Sequence, residues 1–205
     1  MKINIIIFLI LTLGLLSGCL NMNDPKEQAH YINCYNSFDS TLVNIMPKKI
    51  PNNFVSYGYS SAEYFFYDYA GMHVTTRISD EYEYNELREK YSENAKAIKN
   101  SSDECLIIIT TSDNELEDGV QGNFNCKQPI PIPQYVIFKP NDEKNNLNRI
   151  KNLEIIVLDF QFTDILKSAD ITERKNLPQE LSKGYSKGVT LNKNDMTIQK
   201  WVAVW

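Results

Sequence analysis

Apolar residues recur with two different periods along this chain, and the change of period separates predicted helices from predicted strands. Spacings of three and four residues, which place side chains on one face of a helix, occur in two segments. The first predicted helix runs from Tyr31 to Met46 and ends before Pro47. The second follows Asp80, which with Glu83 has the form of a capping box. The two apolar faces comprise Ile32, Tyr35, Phe38, Leu42 and Ile45, and then Leu87, Tyr91, Ala95 and Ile98.

Residues 52–79 are dense in aromatic and β-branched residues, which favour strands. Breaks at Gly58, Ser60–Ser61 and Ala70–Gly71 predict about three strands in an antiparallel meander. Within "MHVTTRIS" the side chains alternate, so that one face of this strand should meet water. The residues expected on that wet face are His73, Thr75 and Arg77.

Two later segments, "CLIIITT" and "NLEIIVLDFQF", are apolar on both alternating faces. This pattern is typical of central strands covered on both sides, and the two helices are the candidates for that cover. Residues 112–134 are predicted to be a loop, "YVIFK" a short strand, and 163–182 one or two short helices broken at Pro178. The C-terminal segment "KGVTLNKNDMTIQKWVAVW" is predicted to form a hairpin that turns at Asn192 to Asp195 and ends in a strand.

These elements predict one α+β domain over residues 31–205, with a largely antiparallel, mixed sheet and at least two packed helices. Its length is that of a single domain with a sizeable core. Hydrophobic residues make up 42% of the chain, a composition typical of a globular fold.

The first 18 residues follow the order of a secretory signal peptide: a charged Lys2, an apolar run, and then small residues. Leu16, Ser17, Gly18 and Cys19 resemble the lipobox of bacterial lipoproteins. The resemblance implies that cleavage leaves Cys19 as an acylated N-terminus, and it covers only about the first tenth of the chain. Residues 19–30 are then expected to be a flexible tether.

The net negative charge of the chain makes nucleic acid and anionic membrane surfaces unfavourable partners. The formal net charge is −5, and removal of Lys2 with the signal peptide would make it about −6. An acidic protein is an unfavourable partner for nucleic acid, and anionic headgroups would repel it. Attachment to the bilayer is therefore expected to rest on the acyl chains of Cys19. The predicted location is the cell envelope, on the outer membrane if there are two membranes, facing the periplasm or the cell surface.

Three cysteines remain after Cys19, namely Cys34, Cys105 and Cys126, so that at most one disulfide is expected among them. Their spacing does not match a zinc site. His30 and His73 are interpreted as surface histidines. Acidic residues 113–118 are spaced like the start of a calcium loop, but the glycine and the closing glutamate are misplaced, which favours a solvated loop. Arg77 is expected to form a surface ion pair with Asp80 or Glu81.

The remaining candidates are aromatic and acidic side chains. The tyrosine-rich segment from Tyr57 to Tyr69 and the pair Trp201 and Trp205 could form a glycan or partner surface, but core packing is the preferred interpretation. Gly184 and Gly188 are interpreted as marking a bend or bulge. No catalytic motif and no cofactor site is predicted. The predicted function is a non-catalytic, membrane-anchored module that binds an envelope protein or glycan. The alternatives are an immunity or inhibitor lipoprotein, or a small hydrolase using paired carboxylates such as Glu63, Asp68 or Asp159.

Overall fold

A six-stranded sheet forms the centre of the domain. The structure is a computed structural model that describes residues 24–60, 69–110, 122–140, 147–165 and 177–205. Its strands in chain order are β1 (Phe54–Ser60), β2 (Ala70–Arg77), β3 (Ala97–Asn100), β4 (Leu106–Ile109), β5 (Ile130–Pro133), β6 (Phe138–Pro140), β7 (Leu147–Arg149), β8 (Glu154–Gln161), β9 (Tyr185–Asn192) and β10 (Thr197–Val204). The helices are α1 (Pro25–Ser37), α2 (Ser40–Val43), α3 (Glu81–Ser92) and α4 (Gln134–Ile137), with a 3-10 turn at Gln179–Leu181.

The order of strands in the main sheet is β1-β2-β10-β9-β8-β3, and every neighbouring pair is antiparallel. Two small sheets lie outside it: β4 pairs with β5 in parallel, and β6 pairs with β7. The predicted fold class, a mixed α+β domain with a largely antiparallel sheet, is confirmed. The last strand lies in the interior of the sheet, and Trp205 exchanges two backbone hydrogen bonds with Gly184, so the chain end is fixed as predicted.

One face of the main sheet packs against the helices. Tyr31 and Cys34 of α1 are fully buried against Met72, Val74 and Val202. Further along the same face, α3 contributes Tyr84 and Tyr91, which pack on residues of β8, β9 and β10. Each large apolar side chain buried in this way contributes on the order of 2 kcal/mol. The two predicted helices therefore both lie on this face, where they cover β8 as expected, and other elements cover the opposite face.

The second face is covered by β4, β5 and α4. All residues of β4 and β5 are buried, yet β4 lies in its own two-stranded sheet and is not a central strand as predicted. Residues 130–133 were expected to be loop because of Pro131 and Pro133. They form a strand because a parallel ladder beside a single partner requires a backbone N–H only at alternate residues. The predicted strand "YVIFK" is instead α4 followed by β6.

The first predicted helix is two helices. Asp24 caps α1 through the backbone N–H of Lys26, and Pro25 occupies the first helical position, so the helix begins six residues earlier than Tyr31. The last residues of the expected tether are therefore helical. Asp39 caps α2 in the same way and restarts the chain in a new direction. As a consequence Ile32, assigned to the buried face, is 38% exposed.

The second predicted helix, α3, starts as expected and ends early. The Asp80 carboxylate accepts a hydrogen bond from the Glu83 N–H at 2.9 Å, and the Glu83 carboxylate accepts one from the Ser79 N–H at 2.7 Å. The helix ends at Ser92, because Ala97–Asn100 pairs with β8 as strand β3. Ile98 was placed on the apolar helix face and is 42% exposed in that strand.

The tyrosine-rich segment forms strands β1 and β2 where the structure describes it. Gly58 and the Ala70–Gly71 pair lie within strands and do not break them. Residues 61–68, where the third strand of the meander was expected, lie outside the described residues. Residues 166–176, assigned to short helices, also lie outside them. The C-terminal hairpin is confirmed, and the Asn192 side chain accepts hydrogen bonds from the N–H groups of Asn194 and Asp195 in its turn.

Candidate functional site

A row of uncharged polar side chains crosses four strands on the second face of the sheet. The residues Ser56, Thr75, Gln199 and Thr190 are cross-strand partners, so their side chains stand side by side on β1, β2, β10 and β9. They line a cavity of about 780 Å³. We call this cavity, with the polar row as one of its walls, the threonine cleft.

The threonine cleft exists because the layer formed by β4, β5 and α4 covers only part of the sheet. Its opposite wall is apolar and is formed by Val136, Phe138, Ile150 and Leu153. Arg77, Asn192 and Asp195 also line the cavity. The cleft therefore offers hydroxyl and amide groups on one side and an apolar surface on the other, the arrangement that fixes a polar ligand in orientation.

Two hydrogen bonds organise the polar row. The Ser56 hydroxyl donates to the Thr75 hydroxyl at 3.0 Å, and the buried indole N–H of Trp201 donates to the Thr190 hydroxyl at 3.1 Å. Each hydroxyl that accepts in these bonds keeps its own O–H for another acceptor. The two bonds thus hold the row in place. Thr75 keeps a donor that can bind a ligand, whereas Thr190 is 4% exposed and serves as the acceptor for Trp201.

The inner end of the threonine cleft is closed by His73. Its ring packs on Tyr135, with 4.4 Å between ring centroids, and Gly58 lies opposite on β1. A Cβ on Gly58 would lie 2.5 Å from the His73 Cε1 atom, so the glycine makes room for the imidazole. Burial lowers the pKa of His73 to about 4, which keeps the ring neutral at pH 7. The expectation that His73 is an ordinary surface histidine is wrong, because α4 places Tyr135 over it.

A second cavity, of about 660 Å³, lies on the helical face of the sheet. It is lined by residues of α3, β8 and β9 and by Asn44 at the end of α2. Three lysines line it, Lys90, Lys96 and Lys187, against two acids, Glu93 and Asp159. We call this cavity the lysine cleft.

A β-bulge arranges the floor of the lysine cleft. Val157 pairs with Gly188 and Asp159 with Lys187, so that Leu158 is the extra residue. Without the extra residue, Leu158 would stand opposite Lys187 and Asp159 would fall on the other face. The bulge therefore brings the Asp159 carboxylate to the face that carries Lys187 and Tyr185. Gly188 lies in the partner strand β9, whose own pairing with β10 is regular, so the bulge is in β8 and not at the glycine as predicted.

Asp159 is already paired on both carboxylate oxygens. One oxygen forms an ion pair with the Lys96 ammonium, and the other accepts a hydrogen bond from the Tyr185 hydroxyl at 2.9 Å. Partial burial opposes ionisation, but the bonds from Lys96 and Tyr185 outweigh it and lower the pKa of the Asp159 carboxyl. Burial and the bond to Asp159 together raise the pKa of Tyr185 to about 12.

Lys187 is the most buried charged residue of this site, with a relative exposure of 9%. Its ammonium donates to the backbone carbonyl of Thr41 at 2.6 Å and to the Asn44 side-chain oxygen at 3.2 Å. Burial lowers the pKa of the ammonium group, and the more distant Asp159 opposes this effect. Sequence analysis named His73, Arg77 and Asp159 among the polar residues that line the two clefts, but it did not identify Lys187, Thr190 or Gln199. A charged residue on the buried face of the apolar strand "KGYSKGVTLN" was the available signal for Lys187.

The cysteine, tryptophan and tyrosine candidates of the described residues pack inside the domain. Cys105 and Cys126 form a disulfide and Cys34 is a buried free thiol, which confirms the expectation of a single bond within the described chain. Trp201 and Trp205 are buried, as the core interpretation predicts. Tyr57, Tyr59 and Tyr69 also pack against neighbouring elements: Tyr57 and Tyr59 against α1, and Tyr69 beneath Trp205.

His30 and Arg77 were both expected at the surface, Arg77 in an ion pair. His30 is exposed on α1, as expected. The predicted Arg77 ion pair is wrong, because Glu81 pairs with Lys193 at 2.7 Å and Asp80 caps α3. Cys19, Glu63, Asp68 and the acidic residues 113–118 lie outside the described residues. Within the residues that are described, no group of three potential ligands is placed to hold a metal ion, and no helix is long and apolar enough to cross a membrane.

Comparison with known proteins adds no family to these observations. Neither protein-family models, nor curated proteins, nor solved structures give a match to this chain.

Proposed function

We propose that this protein is a membrane-anchored lipoprotein of the cell envelope whose domain binds an uncharged glycan, without catalysis, in the threonine cleft. The bilayer holds the acylated Cys19, and the glycan is the partner of the folded domain. The observation that carries the binding proposal is the row of four uncharged polar side chains that lines a cavity of about 780 Å³.

The envelope location is supported by two features of the chain. Leu16, Ser17, Gly18 and Cys19 match all four positions of the lipobox pattern. The bond between Cys105 and Cys126 suits an oxidising compartment, since structural disulfides are rare in the cytosol.

The link between Cys19 and the domain is short. Helix α1 starts at Pro25, so only five residues separate Cys19 from the helix, and their reach is at most about 20 Å. The domain would therefore lie close to the membrane surface.

The glycan proposal follows from the chemistry of the two cleft walls. Sugar rings present hydroxyl groups at their edges and C–H groups on their faces. The hydroxyls of Ser56 and Thr75 and the amide of Gln199 can bind the edges, while Phe138 and Ile150 can contact an apolar face. Cavities of this size hold ligands as large as a short oligosaccharide.

The hydrolase alternative receives no support from the carboxylate that the structure describes. A general acid needs a raised pKa and a second carboxylate nearby. The pKa of Asp159 is lowered, and its oxygens are occupied by Lys96 and Tyr185. A binding role therefore fits the described residues better than acid catalysis.

The test uses detergent-solubilised full-length protein and glycan strands prepared from its own envelope. The Thr75→Val substitution removes one hydroxyl from the row while conserving shape, and loss of one hydrogen bond should weaken binding about fivefold. The double variant Thr75→Val/Gln199→Leu should weaken it further. Thr76→Val is the matched control, because Thr76 is the next residue of β2 and faces the other side.

Equal affinity of the double variant and the wild type would contradict the cleft as the glycan site. Capture of a stable envelope protein instead of glycan, with the same sensitivity to Thr75→Val, would show that the cleft binds a protein partner and that the glycan proposal is wrong.

A further inference from the structure

The lysine cleft is a second site, on the opposite face of the sheet from the threonine cleft. Its floor is Lys187, whose side chain is enclosed by α2 on one side and by the bulged strand β8 on the other. Three lysines against two acids leave a local charge of +1 in a chain with a formal charge of −5. The cleft is therefore locally basic in an acidic protein.

Lys187 has hydrogen-bond acceptors but no carboxylate within ion-pair distance, and only the more distant Asp159 attracts its charge. Both acceptors within reach of its ammonium, the Thr41 carbonyl and the Asn44 amide oxygen, are neutral. Among the ion pairs of the described residues, none includes Lys187, whereas Lys96, Lys99, Lys183 and Lys193 all have carboxylate partners. An ammonium carries three N–H donors, and only two are used here.

Asp159 makes no direct ion pair with Lys187, because its closest partners are Lys96 and Tyr185. Lys96 and Tyr185 occupy its two oxygens, and no contact within 4 Å joins it to Lys187. Buried charges in proteins are normally paired, because an isolated charge away from water is costly. A residue such as methionine would fill the same space without that cost.

Lys187 also has a structural role that must be separated from binding. The Thr41 carbonyl lies in the short helix α2, and lysine side chains often satisfy the carbonyls at the end of a helix. Capping alone requires a donor and no charge. A glutamine at this position retains a donor and removes the charge, so it separates the two roles.

We propose that the lysine cleft binds an oxyanion, the carboxylate or phosphate group of a small ligand, with Lys187 as its principal cation and Lys96 at its entrance. The anion accepts the third N–H of Lys187. Asn44, which lines the cleft, keeps the ammonium in place through its side-chain oxygen. This proposal does not depend on the glycan or on the lipid anchor, because the site lies on the other face of the sheet.

The experiment measures the affinity of the full-length protein for inorganic phosphate and for acetate by calorimetry at low ionic strength. Charge-assisted hydrogen bonds are strong enough that Lys187→Gln should weaken the binding of either anion at least about tenfold. Lys96→Gln should weaken it about threefold, since its side chain is 46% exposed. Lys193→Gln, which removes the same charge from a distant ion pair with Glu81, should stay within about twofold of the wild type.

A second readout uses the unmodified chain and does not depend on how variants fold. Saturating phosphate should slow the acylation of Lys187 by an amine-specific reagent, followed by mass spectrometry, and should leave Lys193 unaffected. The proposal is wrong if neither anion binds the wild type, if Lys187→Gln binds as tightly as the wild type, or if phosphate protects both lysines equally.

Discussion

His73 and Tyr135 pack ring against ring, with centroids 4.4 Å apart and planes inclined by 33°. One ring belongs to a strand of the main sheet and the other to a four-residue helix that lies over it. The Tyr135 hydroxyl also donates to the Val202 carbonyl at 3.1 Å. This contact joins the covering layer to the sheet and closes the inner end of the threonine cleft.

Gly58→Ala should destabilise the protein through this contact. The added Cβ would lie 2.5 Å from the His73 Cε1 atom, and the ring cannot retreat because Tyr135 packs on it. We expect the free energy of unfolding, measured by urea denaturation, to fall by about 2 kcal/mol.

The same substitution in a His73→Ala background provides the control, because the three atoms nearest to the new Cβ all belong to His73. Gly58→Ala should then cost less than about 0.5 kcal/mol. An equal cost in both backgrounds would show that the glycine is required for another reason.

His73 should also make stability depend on pH. Its pKa is about 4 in the folded protein and near its ordinary value of 6.5 in the unfolded chain, so the unfolded state binds more protons between these values. The contribution of neutral His73 to the free energy of unfolding is present above pH 6.5 and is lost as the pH falls towards 4. The loss amounts to up to about 3 kcal/mol.

The free energy of unfolding at pH 7 and at pH 4.5 should be compared for the wild type and for His73→Phe, which keeps an aromatic ring. The wild type should lose more stability than the variant over this range. Parallel losses in the two proteins would mean that His73 does not titrate as its burial requires.

The disulfide between Cys105 and Cys126 should be a major stabilising element. It links residues 21 apart, and the entropy of closing such a loop corresponds to about 3 kcal/mol. The double variant Cys105→Ser/Cys126→Ser should show this loss in urea denaturation. Cys34→Ala is the control variant, because it removes a buried thiol that forms no disulfide.

A thiol reagent provides an independent measurement on the wild type. Cys34 is buried and its pKa is raised to about 12, so it should react only after unfolding. Rapid reaction of Cys34 in the native protein would contradict the packing of α1 on the sheet.

The sequence predicted correctly those elements whose ends are marked by capping or turn residues next to them in the chain. The capping pair Asp80 and Glu83 marks the start of α3, and the turn residues at Asn192 to Asp195 mark the hairpin. The predicted length of α3 was too great. The apolar spacing of the helix continues into Ala97–Asn100, but these residues form backbone hydrogen bonds with strand β8. Pairing with a distant strand overrode local preference there.

The two clefts depend on contacts that local patterns do not encode. Thr75 and Thr190 become neighbours of Gln199 only because β10 inserts between β2 and β9. Lys187 meets Asn44 across 143 residues of sequence, and the bulge at Leu158 decides which face Asp159 joins. His73 was assigned to a wet surface because nothing near it in sequence indicates that Tyr135 covers it.

The measurement that tests the central claim most directly is labelling with radioactive palmitate in cells that express the wild type or Cys19→Ser, followed by membrane fractionation. The account predicts label and membrane association for the wild type, and an unlabelled protein of altered processed size that leaves the membrane fraction for the variant. An unlabelled wild type, or a variant that remains with the membranes at unchanged size, would contradict it.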